Sequence, residues 1–440
     1  MLEEIAAWIH SPMARAAVIC VLVLLLLVPL VMVGSLVRER EATRIGVERE
    51  VADKWGSEQS LMGPILSVPY RYRTVGPNRE VLTHVGHTRF LPSILGIEGV
   101  VRPEIRYRGI YEVALYHVGL RLRGEFERPD LGLWKIAPED ILWDEAVLVV
   151  GIPDLRGIKR AVVARWGDET LTFEPGPGSV ALCASGIHAR VLRLDAVAEG
   201  ESVPFSFDLD LNGWQELLFA PLGKETRISL SSTWPSPSFT GKFLPDSREV
   251  RPNGFTAEWN ISYLTRPFPQ AWKDNEVTAD LLGQWMGGVT LFQPVDSYAK
   301  SSRTIKYGIL FLVMTFAVYF LFEILGRLRI HPFQYLLVGF AICLFYLLLL
   351  SLSEHLGFGR SYLLASAGTV GLITAYSGYV LGDFGRAAAI GAGLSGLYGY
   401  LYLLLQLEDY ALLLGSLGLF ALLAAAMALT RRVDWYAVGR

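Results

Sequence analysis

A chain of 440 residues that is 52% apolar and only 19% charged, with a mean hydropathy of +0.36, is not an ordinary soluble enzyme, whose charged fraction would be about a quarter. A formal net charge of −3 and a pI near 6.2 give no overall basic footprint of the kind that nucleic-acid binding uses, and no nucleic-acid partner is expected. The apolar excess must lie in lipid or in an unusually large core, and the length allows roughly three domains.

The first element is an apolar run, 16–37, without a charge. About twenty such residues cross roughly 30 Å of hydrocarbon at about 1.5 Å per residue. A signal peptide is the alternative. The run exceeds the usual core of about 7–15 apolar residues, Glu3 and Glu4 weaken a cationic start, and no Ala-x-Ala site precedes Arg38, so an uncleaved anchor is expected. Residues 38–56 carry Glu and Arg on one solvated face and predict a helix leading away from the membrane.

Residues 38–300 form one domain of ordinary polarity, punctuated by Pro and Gly. Residues 104–126 alternate apolar and polar positions around Gly109 and Gly119, and 204–211, 227–234 and 256–263 repeat the pattern. Period-two alternation between turn residues predicts a large all-β domain, an antiparallel sandwich. Residues 213–218 read as a short helical exception. Cys183 is the only cysteine in this region, since Cys20 and Cys343 fall in apolar runs; the domain therefore has no internal disulfide and folds on its core alone.

Five further runs follow at 305–325, 333–352, 362–381, 387–407 and 410–429, with the charges gathered in the breaks at 326–331, 353–360, 382–386 and 408–409. The expected fold class is a membrane protein of six transmembrane α-helices: a cytoplasmic start at 1–15, the first span at 16–37, the β domain at 38–300, a five-helix bundle at 305–429 and a cytoplasmic tail at 430–440. Lys and Arg in short loops set orientation. Arg15, Arg327, Arg329, Arg386, Arg431 and Arg432 fall on one side and Arg360 alone on the other, which makes both termini cytoplasmic and puts residues 38–300 outside the cytoplasm; in a bacterial envelope that side is the periplasm. Lys300, Arg303 and Lys306 oppose the bias but flank a long translocated domain, where the rule is weak.

Chemical motifs are sparse. His84, His87 and His117 suggest a metal, yet an offset of three in a strand points two side chains to opposite faces, and no CxxC or HExxH accompanies them. Asp208-x-Asp210-x-Asn212-Gly213 begins like a calcium loop, but position twelve is Phe219 where a bidentate Glu is needed; a solvated strand face is expected. No Gly-x-Ser-x-Gly elbow or partnered Cys and His stands out, Cys183 is merely near Ser185 and His188, and Gly176-Pro177-Gly178 is a turn without the Lys of a phosphate loop. No catalytic residue, cofactor or metal site is assigned, and a non-enzymatic protein is expected.

Ionisable and polar groups at membrane depth are better leads, because burying them is costly. Glu323 lies near the cytoplasmic end of the second span, His331, Pro332, Gln334 and Tyr335 open the third, and Glu354 with His355 closes it. All but Glu323 sit at interfaces, where capping and hairpin roles compete with a relay. Gly391, Ser395 and Gly399, with Ala392 and Gly396 beside them, place small residues four apart, as close helix packing within or between subunits requires. Tyr376, Tyr379, Tyr398, Tyr400 and Tyr402 add polar tips.

Several blocks carry a family resemblance. They are Trp55-Gly56-x-x-Gln59-x-x-x-Gly63-Pro64-Ile65-Leu66-x-Val68-Pro69-Tyr70, Arg106-x-Arg108-Gly109-Ile110-Tyr111 and Trp234-Pro235-x-Pro237-Ser238-Phe239-x-Gly241. Gln293-Pro294-Val295-Asp296-x-Tyr298, Lys306-Tyr307-Gly308-x-Leu310-Phe311, Thr315-Phe316, Glu323, His331-Pro332-x-Gln334-Tyr335 and the stretch 348–355 continue the series in order. The chain resembles the CreD family of bacterial inner-membrane proteins, loosely over 128–200 and the last two spans. The resemblance implies one N-terminal span, a periplasmic domain, a C-terminal bundle and roles in cell envelope integrity and colicin tolerance; it supplies no catalytic residues. The expected function is envelope maintenance, the periplasmic domain binding an envelope component or a partner protein. The alternative is a transporter or flippase-like protein using Glu323, Gln334, Tyr335 and His355, and a membrane-embedded hydrolase comes third. The lipid bilayer is an expected partner, and homo-oligomerisation stays open.

Overall fold

The computed structural model describes residues 12–75, 77, 79–178, 183–198, 200–291, 297–325, 330–407 and 410–431. Glu3, Glu4, the block from Gln293 to Asp296, Arg327, Arg329, the break at 408–409, Arg432 and the rest of the tail lie outside them. The chain divides into two compact units, Gly46–Pro294 and a second made of Met1–Ile45 with Val295–Arg440. Helix α1 (Pro12–Trp55) runs unbroken across the division, so the apolar run and the charged helix expected after it are one element.

The β-rich unit contains β1 (Gln59–Val75), β2 (Val81–Phe90), β3 (Ile94–Arg108), β4 (Tyr111–Glu127), β5 (Val147–Gly151), β6 (Val163–Trp166), β7 (Glu169–Thr172), β8 (Glu174–Pro175) and β9 (Gly186–Arg190). It continues with β10 (Ser202–Trp214), β11 (Glu216–Phe219), β12 (Glu225–Ser232), β13 (Pro237–Gly241), β14 (Ser247–Arg251), β15 (Gly254–Ser262), β16 (Ala271–Lys273), the short helix α2 (Ala279–Gly283) and β17 (Gly287–Leu291). One sheet runs β14-β15-β12-β3-β4-β10-β6-β7; the other runs β13-β17-β11-β1-β5-β9-β8, with β2 and β16 added beside β1.

The two inner faces share one core. Along β10 burial alternates almost strictly, placing Phe205, Phe207, Leu209 and Leu211 inward. Trp259, Trp272 and Tyr116 are among the largest side chains buried completely. Each large apolar side chain so buried contributes about 1.5–3 kcal/mol, which accounts for a fold without a disulfide; Cys183 is a free thiol.

Two details differ from the sequence reading. The sheets are not wholly antiparallel, because β1 pairs β11 and β3 pairs β12 in parallel, arrangements that need crossovers instead of hairpins. Residues 213–218 are not helical: they end β10, turn at Gln215 with φ 53° and enter β11. A helix of six residues without a capping side chain repays nucleation poorly, whereas Glu216 to Phe219 gain a full ladder against β17. Gly109 does make the tight turn of the β3–β4 hairpin with φ 61°, while Gly119 lies inside β4.

The helical unit continues with α3 (Ser297–Lys306), α4 (Gly308–Leu325), α5 (Pro332–Leu356), α6 (Phe358–Leu381), α7 (Phe384–Gln406) and α8 (Ala411–Thr430). Among the described residues, α1, α5, α6 and α7 are each long and apolar enough to cross a membrane, and α3 with α4 forms a further candidate bent by 43°. The C-terminal part is thus a helical bundle with three such spans; with α1 the described residues give four, or five if the bent pair is one span, against the expected six. The run read as 305–325 begins instead at Gly308, after the separate amphipathic α3. Gly382, with φ 61°, ends α6, and the Asp383 carboxylate then accepts from the Gly385 N–H at 2.7 Å to start α7.

Candidate functional site

In the helical unit, the polar candidates separate into two groups at opposite ends of α5. Pro332 occupies the first turn of α5, where its missing N–H costs nothing. His331 caps the helix: its Nδ1 accepts from the Phe333 N–H at 3.2 Å, and Gln334 Oε1 accepts from the His331 N–H at 2.9 Å. This reciprocal cap fixes the direction of Tyr335, whose hydroxyl donates to Glu323 Oε2 at 2.8 Å. The other oxygen, Oε1, meets Arg15 Nη1 of α1 at 2.9 Å. Glu323 is 4% exposed and Tyr335 only 2%. Phe316 and Tyr319 pack on the Tyr335 ring, and Tyr319 is hydrogen-bonded to Ser377 of α6.

At the far end of α5, Glu354 accepts from the Tyr298 hydroxyl at 3.0 Å and stands 4.0 Å from Arg40 of α1. His355 is exposed in the last turn, where its charge would favour the helix terminus. Arg15 and Arg40 lie about 37 Å apart along α1 at 1.5 Å per residue, so the two ion pairs bracket a thickness slightly greater than the roughly 30 Å hydrocarbon core. A carboxylate closed in by an arginine and a tyrosine is satisfied, and it holds three helices together.

The small-residue stripe of α7 is not one continuous contact surface. A side-chain carbon on Gly391 would meet Thr374 Oγ1 of α6 at 2.5 Å, so α6 and α7 approach closely there. Ser395 bonds to the Gly391 carbonyl of its own helix at 2.8 Å, and Gly399 faces open space.

In the β-rich unit, the solvent face of the eight-stranded sheet forms a groove of about 810 Å³. The strand register builds its floor: Asn260 pairs with Arg227, Arg227 with Gly96, Gly96 with Arg123, Arg123 with Ser206 and Ser206 with Arg165. Direct partners across a sheet share a face, so six neighbouring strands present alternating long cationic and short side chains. With strands about 4.8 Å apart, the arginines recur about every 10 Å along a row of about 24 Å. Glu98, Glu125 and Glu225 flank the row and balance Arg123, Arg165 and Arg227. Arg123 is paired with Glu98, and Arg227 Nε donates to Asn260 Oδ1 at 3.0 Å. Such a trough offers donors and acceptors at regular spacing to an extended polar chain.

The remaining sequence candidates have structural partners. His84 Nε2 lies 2.8 Å from Thr74 Oγ1, the His87 N–H donates to Asp274, and His117 Nδ1 is 3.0 Å from Asn212 Oδ1. Among the described residues no three potential metal ligands converge. Asp208 pairs with Arg121, while Asp210 faces Arg160 and His117. His188 Nδ1 is held by the Gly176 carbonyl at 2.9 Å, and burial pushes the Cys183 thiol upward, the reverse of what an activated nucleophile needs.

The motif blocks are joints of the fold. The Trp55 ring lies under the Arg106 guanidinium, 3.8 Å from its centroid. Asp154 accepts from the Ser57 N–H and hydroxyl and from Arg156, which together hold its carboxyl well below the usual carboxylate range. Gln59 Nε2 bridges the carbonyls of Asp154 and Asn212 at 3.2 and 3.1 Å. Phe239 packs edge-on against Phe255 and Trp259.

Sequence reasoning missed the partnership of Arg15 with Glu323 and the arginine row. Period-two alternation identifies the face on which Arg123, Arg165 and Arg227 lie, but a register between strands about a hundred positions apart leaves no local signal.

Two comparisons now bear on this architecture. The family described as "Inner membrane protein CreD" matches residues 11–436. The inner membrane protein CreD of Escherichia coli (strain K12) is 32% identical over 422 residues, covering 94% of this chain and 92% of that protein. With both units included in the match, the chain belongs to the CreD family of inner membrane proteins.

Proposed function

We propose that this protein supports cell envelope integrity by binding, in the groove of its β-rich unit, an extended polar component of the envelope. The observation that carries the proposal is the arginine row set in an open trough and balanced by carboxylates. A charge-balanced row of donors and acceptors suits a hydroxyl-rich or zwitterionic polymer, such as a glycan chain, better than a strongly anionic one. The protein acts by binding, without bond chemistry; six helices cross the inner membrane, both termini are cytoplasmic, and residues 38–300 are periplasmic. Altered colicin tolerance is then a consequence of a changed envelope.

Transport through the bundle ranks second. Glu323 is closed in by Arg15 and Tyr335, and the cavity beside α4 has an apolar lining that ends at Val318, short of that carboxylate. The test is retention of purified envelope glycan by the full-length protein in lipid discs. Retention that falls at least about tenfold when Arg165 and Arg227 are both replaced by Ala, equal to a loss of about 1.4 kcal/mol, supports the proposal. Retention unaffected by both replacements but lost in Glu323→Gln favours the bundle.

A further inference from the structure

A second cavity, of about 640 Å³, lies within the helical unit between α4, α7 and α8. Its walls are almost wholly apolar side chains and glycines. Small residues in membrane helices usually bring two backbones together, as Gly391 does against Thr374. Gly393, Gly396 and Gly415 behave otherwise: each lines the cavity, and a side-chain carbon added to any of them would meet nothing within 4 Å. They keep a space open. Thr315, on the α4 wall, is 2% exposed, and among the described residues its hydroxyl has no hydrogen-bond partner.

The dimensions and charge of the cavity select its occupant. Along α4 it extends from Tyr307 to Val318, about 16 Å at 1.5 Å per residue, which is about half of the roughly 30 Å hydrocarbon thickness. It therefore spans one leaflet, the one entered from α3. At that end the exposed Lys306 immediately precedes Tyr307. An apolar slot one leaflet deep, with an exposed cation next in the chain to the residue at its end, matches an amphiphile with a hydrocarbon tail and an anionic head.

We propose that this cavity is a binding site for one acyl chain of an anionic glycerophospholipid whose phosphate is met by Lys306. The site is independent of the groove on the β-rich unit, and a phospholipid bound there would wedge between α7 and α8 as an integral part of the bundle.

The test uses the full-length protein in discs of mixed phosphatidylglycerol and phosphatidylcholine, with a photoactivatable acyl chain on either lipid and mass spectrometric mapping of the adduct. Label should fall on α4, α7 and α8. Gly396→Leu and, from the facing helix, Gly415→Leu fill the space and should each lower that labelling at least about tenfold, equal to a loss of about 1.4 kcal/mol, with no fall in unfolding temperature. Lys306→Gln should keep the acyl label but lower the preference for phosphatidylglycerol about fivefold, the worth of one cation at an anionic lipid surface. Undiminished labelling in both leucine variants would overturn the proposal. So would crosslinking of a second copy of the chain through position 396, which would assign the cavity to a neighbouring helix.

Discussion

Arg15 and Glu323 are separated by 308 positions in the sequence and meet at 2.9 Å, while Tyr335 closes the second carboxylate oxygen at 2.8 Å. This pairing fastens the first helix to the bundle at one end, as Arg40 and Glu354 do at the other. Removing one partner of a buried pair leaves a charge without compensation. Because Arg15 is partly exposed, Arg15→Ala should cost about 1–3 kcal/mol, below the full cost of breaking a buried pair. The double variant Arg15→Ala, Glu323→Gln should cost less than the sum of the single changes. Unfolding in detergent measures both; strict additivity would mean that the two side chains do not interact.

The groove arginines should behave in the opposite way. Arg165→Ala and Arg227→Ala remove exposed side chains from a solvated sheet face, so each should change stability by no more than about 0.5 kcal/mol while weakening ligand retention. A large fall in melting temperature would show that the row serves the fold.

Asp154 supplies a pH test. Its carboxyl lies well below the usual range because Arg156 and Ser57 hold the charged form, so the folded pKa is lower than the unfolded one. The resulting stabilisation is complete above the unfolded pKa of about 4 and is lost as pH falls through the lower folded value. Asp154→Asn should therefore be less stable than the parent at neutral pH, and the gap should narrow in acid. A gap that stays constant with pH would contradict the assignment.

Gly56 tests whether the motif blocks are joints. Its φ is 147°, and a side-chain carbon would lie 2.5 Å from the Asn212 carbonyl oxygen. Gly56→Ala should cost about 2–4 kcal/mol, combining backbone strain with a clash. Gly109→Ala, with φ 61° and nothing within 4 Å, should cost about 1–2 kcal/mol from the left-handed backbone alone. Chemical denaturation of the two variants separates the effects.

The sequence announced the architecture because its signals are local. An apolar run, a period of two and a charged break can each be seen within twenty residues, which is why α1, the β3–β4 hairpin and the break before α7 fall close to their expected places. The parallel pairs β1–β11 and β3–β12 were not legible, since nothing in a strand states which distant strand it will join. The same limit hid the arginine row, which exists only through five successive registers. His331 and Gln334 were visible as polar residues at a helix start, but only the fold shows that their cap aims Tyr335 at Glu323. The stripe of small residues was visible as well; that Gly391 closes a contact while Gly396 leaves a cavity open depends on where α6 and α8 pack.

Specificity, on the function proposed above, resides in the groove of the β-rich unit. Photo-crosslinking in intact cells tests it most directly, with a photoreactive residue placed at Ser206 or Ser229 in the groove and, as reference, at the exposed Glu249 on β14. A discrete envelope adduct is expected at both groove positions, absent at Glu249 and lost when Arg165 and Arg227 are both Ala. No adduct in the groove at normal expression, together with loss of envelope function in Glu323→Gln, would contradict it.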